Sequence, residues 1–184
     1  AGDPDPDDRA ELNALLRAGD NDQLATRFSG RLRFGTAGLR GAMGAGSNRM
    51  NTAVIRQTTA GLAQVLCAQF PDAQSRGVVV GYDARHRSQA FAEEASAVLL
   101  AAGFKVYGWS RCTPTPMIPW MMGRVGAVAG IVVTASHNPP ADNGYKVYWD
   151  HGAQIVPPVD AAIAQAIETV ALKPASTIPV VRPS

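Results

Sequence analysis

Thr134-Ala135-Ser136-His137-Asn138-Pro139 gathers a hydroxyl, an imidazole and a carboxamide on one short stretch. It follows Ile131-Val132-Val133, an apolar run that reads as a buried strand, so these groups sit where a strand opens into a loop. Pro139-Pro140 stiffens that loop, because each ring fixes its own φ and restricts the residue before it. A serine held this way can act as a nucleophile or carry a phosphoryl group, with His137 beside it. The plainer alternative is turn chemistry, in which Ser and Asn side chains close on the local backbone. A serine hydrolase is disfavoured. Adjacent residues rarely form the Ser–His hydrogen bond such an enzyme needs, and there is no Gly-x-Ser-x-Gly elbow. His137 is better cast as a partner to a group on the serine.

Two cations stand near this loop in the sequence pattern. Lys146 follows the turn Asn143-Gly144-Tyr145 and can reach back over the serine loop. A lysine there polarises a hydroxyl or neutralises phosphate, and burial lowers its pKa towards acid/base work. Its alternative is an exposed edge-strand lysine that discourages aggregation. Arg40 lies in Arg33–Gly44, where glycine recurs at every third position. That segment lacks the Gly-Lys-Ser/Thr ending of a nucleotide P-loop. Its use would be close backbone approach to an anion, with Arg40 as a fixed cation. Its alternative is a flexible turn with a solvated arginine. Asp83 and Arg85 read as an ion pair bracing the loop after the preceding strand.

The elements that must position these groups follow from periodicity. Residues 7–28 read as two short helices broken at Gly19-Asp20, an arm outside the core. Residues 52–70 form a helix capped by Asn51 and ended by Pro71. Gly77–Gly81 is a strand covered on both faces. Ser88 caps a second helix, with Gly103 just past its end. Phe104–Gly108 is a strand, and Thr115 caps a third helix with Pro116 in its first position. Tyr145–Trp149 is a short strand, antiparallel because only a loop precedes it. Ile163, Ile167 and Val170 mark the last helix. This alternation predicts an α/β fold, a three-layer α/β/α arrangement with a mixed, mainly parallel sheet. Sites in such sheets gather beyond the carboxyl ends of the strands, which selects the loops Tyr82–Arg87 and Ala135–Gly144.

Composition narrows the classes. The chain has 184 residues, 46% of them hydrophobic, enough for one domain with a tail. A net charge of +2 gives no reason to expect nucleic acid or an anionic membrane as partner. Cys67 falls in a predicted helix and is expected in the core. Neither it nor Cys112 has a CxxC partner, which argues against zinc and thioredoxin-type redox chemistry. Asp3, Asp5, Asp7 and Asp8 read as a solvated arm. The N-terminus lacks signal-peptide character, and no apolar run is long enough to span a bilayer. The expectation is a soluble, cytoplasmic protein.

Three segments in order carry a resemblance: Phe34-Gly35-Thr36-Ala37-Gly38-Leu39-Arg40-Gly41, Thr134–Pro139 and Asn143-Gly144-Tyr145-Lys146. Together they resemble the α-D-phosphohexomutase family of phosphoglucomutases and phosphomannomutases, in its first domain. Ala42–Asn51 further resembles the subgroup with phosphopentomutase and glucose-1,6-bisphosphate synthase-like members. The resemblance implies an intramolecular phosphotransferase that moves a phosphoryl group between the C1 and C6 (or C5) hydroxyls of a sugar phosphate. It would work through a phosphoserine at Ser136 and a sugar bisphosphate intermediate. Arg40, His137 and Lys146 would line the transfer site. Thr36, Gly38, Arg40 and Asn138 would bind substrate or phosphate.

The implied cofactor is Mg²⁺, with the phosphate on Ser136 as one ligand, and glucose 1,6-bisphosphate is the implied activator. The family's metal loop, sugar-reading loop and C-terminal phosphate-binding domain are not in this sequence. The expected organisation is a helical arm at 1–30, the phosphoserine domain at 31–171, and a linker at 172–184 towards further domains of the same polypeptide. The isolated chain would then have little or no turnover. The rival functions are a non-catalytic sugar-phosphate-binding module and a serine hydrolase or phosphatase.

Overall fold

The computed structural model describes residues 2–36 and 38–182. Ala37 of the glycine-rich segment and the last two residues of the expected linker lie outside the described residues. Two helices open the chain, α1 (Pro6–Ala18) and α2 (Asn21–Phe28), and β1 is Leu39–Ala42. There follow α3 (Thr52–Gln69), the single turn α4 (Ala73–Arg76), β2 (Val78–Tyr82) and α5 (Ser88–Ala101). Then come β3 (Val106–Gly108), α6 (Met117–Val125), β4 (Ala129–Val133), β5 (Asp142–Tyr148) and α7 (Val159–Val170).

The five strands form one sheet in the order β1-β5-β4-β2-β3. β2 pairs parallel with β3 and β4, while β5 runs antiparallel to both β4 and β1. β1 therefore points the same way as β4. Only β5 is reversed, so the sheet is mixed and mainly parallel, with helices on both faces.

The larger core lies under α3, α5 and α7. Ile55, Leu62 and Leu66 of α3, Phe91 and Leu99 of α5, and Ile163 of α7 pack on Val78, Val80, Ile131, Val133, Tyr145 and Val147. On the other face, Ile118 and Met122 of α6 cover Val79 and Val132. The continuous apolar runs of β2 and β4 are buried along their whole length, as strands covered on both faces require. Asn51 caps α3 as expected: its Oδ1 accepts from the Val54 N–H at 2.9 Å.

Several expectations give way. Ser88 does not cap α5. Arg87 holds the cap position in the left-handed region at φ 60°, and the Ser88 hydroxyl turns to Asp83 instead. Thr115 does not cap α6 either. Pro116 stands at that position with no side-chain cap, and the helix begins at Met117. Cys67 is exposed, because the buried stripe of α3 passes through Leu62 and Leu66 and leaves position 67 on the outer side. β5 begins three residues before Tyr145, and Leu39–Ala42 is a strand that the glycine pattern concealed.

The acidic N-terminus is not a solvated arm. Asp8 is only 2% exposed and accepts from Arg87 at 3.0 Å. Asp5 accepts from the Thr52 hydroxyl at 2.9 Å and pairs with the same arginine. Glu11 accepts from the Ala45 N–H at 2.8 Å, which ties α1 to the loop before α3. At the other end, the Val181 N–H donates to the Ala97 carbonyl and Arg182 reaches the buried Glu94, so the chain lies back along α5. No helix of the described residues is long and apolar enough to cross a membrane.

Candidate functional site

β2 and β4 lie side by side and deliver their following loops to the same end of the sheet. The β2 loop is a knot of committed polar groups. Asp83 Oδ1 accepts from the Arg85 N–H at 3.0 Å and the Ser88 hydroxyl at 2.7 Å. Its Oδ2 accepts from the Thr134 hydroxyl at 2.6 Å. The expected Asp83–Arg85 ion pair is present at 3.5 Å. Asn143, fully buried at the start of β5, donates to the His86 carbonyl and the Ser88 hydroxyl. Its Oδ1 accepts from the Gly144 N–H.

The serine loop after β4 hangs on this knot. The Ser136 N–H donates to Thr134 Oγ1 at 2.9 Å. Ser136 itself sits at φ 55°, in the left-handed region. A non-glycine residue there costs about 1–2 kcal/mol, which surrounding contacts must offset. The side chains of Ser136 and His137 are exposed. Asn138 is half-buried and donates to Asp142 Oδ2 at 3.0 Å. Among the described residues the Ser136 hydroxyl makes no hydrogen bond to His137, Arg40 or Lys146.

Arg40 and Lys146 come together from neighbouring strands. Arg40 stands opposite Gly144, and the Gly144 carbonyl accepts from the Thr134 N–H at 3.0 Å. Arg40, Gly144 and Thr134 are thus lateral neighbours across β1, β5 and the end of β4. Lys146 is two residues further along β5 and on the same face as Arg40. It is half-buried in the interior of the sheet, so the edge-strand alternative fails. Burial first, and the Arg40 charge second, push its amine below the usual lysine range, and no carboxylate of the described residues pairs with it. Arg40 is half-buried, and its Nε is enclosed with no hydrogen-bond partner among the described residues.

Gly38 makes this approach possible. A Cβ there would lie 1.9 Å from the Tyr145 carbonyl oxygen, and φ is +75°. A Cβ on Gly144 would lie 2.8 Å from the Leu39 carbonyl. Tyr145 anchors β5 from below: its phenol is fully buried and shares a 3.1 Å hydrogen bond with Thr59 of α3, while burial drives its pKa upward. Thr36 is exposed, and its carbonyl accepts from Gln154. The glycine segment, the serine loop and the lysine strand thus meet at one end of the sheet, although Ser136 touches neither cation directly. The sequence pattern foresaw the Asp83–Arg85 pair but not the roles of Thr134, Ser88 and Asn143 around it. A run of hydrogen-bonding residues flanking the two strand ends was the available signal.

The described residues hold no group of three or more His, Cys, Asp or Glu side chains placed to bind a metal. Asp83, beside the serine loop, has both oxygens engaged. A complete Mg²⁺ site therefore does not fit these residues alone.

Residues 31–173 match the family model for phosphoglucomutase/phosphomannomutase, alpha/beta/alpha domain I. The chain is 48% identical over 163 residues to phosphopentomutase of Pongo abelii, covering 85% of this chain and 27% of that protein. It is 46% identical over 172 residues to human glucose 1,6-bisphosphate synthase, covering 90% and 28%. Among solved structures, it resembles a phosphoglucomutase/phosphomannomutase family protein from Burkholderia thailandensis (TM-score 0.62, 25% identity, 77% of this chain and 31% of that one). The chain spans less than a third of the length of these relatives. With a family-model match over most of its length, relatives near half identity, and three motifs meeting at one end of a mixed five-stranded sheet, this chain belongs to the phosphoglucomutase/phosphomannomutase family, as its α/β/α domain I.

Proposed function

We propose that this chain is the phosphoserine-bearing part of a phosphosugar mutase, with Ser136 as the residue that accepts and returns the phosphoryl group. The observation that carries this reading is the grouping of an exposed, left-handed serine with two cations, Arg40 and Lys146, at the same end of the sheet, neither of them ion-paired with a carboxylate among the described residues. Fixed positive charge aimed at a transferring phosphoryl group lowers the cost of charge build-up, and it needs no reorganisation at the moment of transfer.

Ser136 Oγ attacks a sugar bisphosphate phosphorus. The bond to the sugar oxygen breaks, and that oxygen takes up the serine proton. The phosphoserine passes its phosphoryl group to the free hydroxyl of a sugar monophosphate, whose proton returns to Ser136 Oγ, and the resulting bisphosphate turns round to offer its other phosphate to the serine. Lys146, with its lowered pKa, suits proton handling at the accepting hydroxyl, while Arg40 holds phosphate oxygens. His137, exposed beside the serine, orients or neutralises the phosphate. Thr36, Gly38 and Asn138 frame the phosphate and substrate approach.

The substrate class is a sugar monophosphate, and the pentose and hexose members named among the relatives are the candidates. Residues 31–171 are the phosphoserine domain, with the arm before it and residues 172–184 leading towards further domains of the same polypeptide. Those domains would supply the Mg²⁺ ligands that this chain lacks, apart from the phosphate on Ser136. The isolated chain is therefore expected to have little or no turnover.

The test is intact-mass analysis of the full gene product with glucose 1,6-bisphosphate and Mg²⁺. One added phosphoryl group mapped to Ser136, and absent in Ser136→Ala, is the expected result. Normal sugar-phosphate interconversion by Ser136→Ala would refute the reading.

A further inference from the structure

Arg85 encloses its charge in the serine loop. Its Nη1 donates to the carbonyls of Pro139 at 2.8 Å and Asp142 at 3.2 Å. Its Nη2 donates to the carbonyls of Ser136 and Asn138, each at 2.7 Å. Four main-chain oxygens from one short segment converge on one guanidinium only if that segment curls around it. The planar fork of arginine, with several donors in fixed directions, selects such a curl.

The same device reaches Ser136 from its other side. Asp83 faces Arg85 Nε at 3.5 Å and holds the Thr134 hydroxyl, whose oxygen takes the Ser136 N–H. The two amide planes that flank Ser136 are therefore both fixed: one through Thr134 to Asp83, the other by Arg85. Those planes define φ and ψ of Ser136. A left-handed serine persists only where its surroundings over-determine it, and these are the contacts that do so. Turning either plane swings the Cα–Cβ bond and re-aims the hydroxyl.

We infer that Arg85 is a positioning residue for phosphoryl transfer, fixing the direction of the Ser136 hydroxyl without touching substrate, an inference that rests on the phosphoserine reading above. It acts on the transfer step and not on sugar-phosphate affinity. Lysine does not replace it, because a point charge on a flexible stem cannot serve four carbonyls in fixed directions.

The test uses Arg85→Ala and Arg85→Lys in the full gene product. The rate of Ser136 phosphorylation from glucose 1,6-bisphosphate is followed by intact mass, beside glucose 1-phosphate affinity and thermal unfolding. Both variants are expected to slow transfer by about 100-fold, the scale of a misplacement near 1 Å, with affinity unchanged. Added guanidinium ion at millimolar concentration should restore part of the Arg85→Ala rate, and sodium chloride at equal ionic strength should not. Wild-type transfer rates in both variants would overturn the inference, as would parallel loss of affinity and rate with no guanidinium rescue. If Arg85→Ala does not fold, Arg85→Lys carries the rate-against-affinity comparison. A wild-type protein whose Ser136 takes no phosphoryl group refutes the functional reading itself. A phosphorylated wild type with unaffected variants refutes only the role of Arg85.

Discussion

The two halves of the candidate site are held in place by opposite means. The serine loop is fixed by side chains that reach into it: Asp83, Arg85, Ser88 and Thr134 each spend their polar atoms on its backbone or on one another. The glycine segment leading into β1 is fixed by the lack of side chains, since Gly38 lets two backbones approach closer than any Cβ allows. The first half is vulnerable to deletion of atoms and the second to their addition. The cations differ in the same sense. Arg85 is saturated with main-chain acceptors, whereas Arg40 and Lys146 form no ion pair with a carboxylate among the described residues.

The largest expected effect is an addition to the second half. Gly38→Ala places a methyl 1.9 Å from the Tyr145 oxygen at a positive φ. A loss of about 4 kcal/mol or more in urea unfolding is expected. Gly35→Ala is the control three residues away, with nothing within 4 Å of its Cβ, and should stay within about 0.5 kcal/mol of the wild type. Similar losses at both positions would break the comparison.

A deletion in the first half comes next. Asp83→Ala strands the Thr134 and Ser88 hydroxyls and removes the carboxylate beside Arg85. A loss of about 2–3 kcal/mol is expected from urea unfolding, with faster amide exchange at Ser136 by NMR.

The smallest effect concerns pH. The folded state binds the Lys146 proton less tightly than the unfolded chain does, because of burial and the Arg40 charge. The penalty is fully present at low pH. Stability should therefore rise with pH through the window between the folded Lys146 value and the ordinary lysine value. Arg40→Gln should raise the Lys146 pKa, followed by NMR of its side chain, and flatten that rise. An unchanged Lys146 titration would separate the two cations.

Local pattern sufficed wherever one residue's neighbours in sequence are also its physical environment. The apolar runs of β2 and β4, the Asn51 cap and the stripe of α3 depend on burial and on backbone groups a few positions away. The three motif segments were legible for the same reason, as was the brace between Asp83 and Arg85, two residues apart. Tertiary structure decided what long-range partners decide. Ser88 looked like a cap but found Asp83, and Leu39–Ala42 became a strand because β5 was there to pair with it. Asp8 left solvent because Arg87 waits 79 residues away in the chain. Sequence alone singled out Ser136 as the candidate phosphate carrier. Only the fold decided that Ser136 is left-handed with both of its flanking amides held, because φ and ψ there are set by contacts from a different strand's loop.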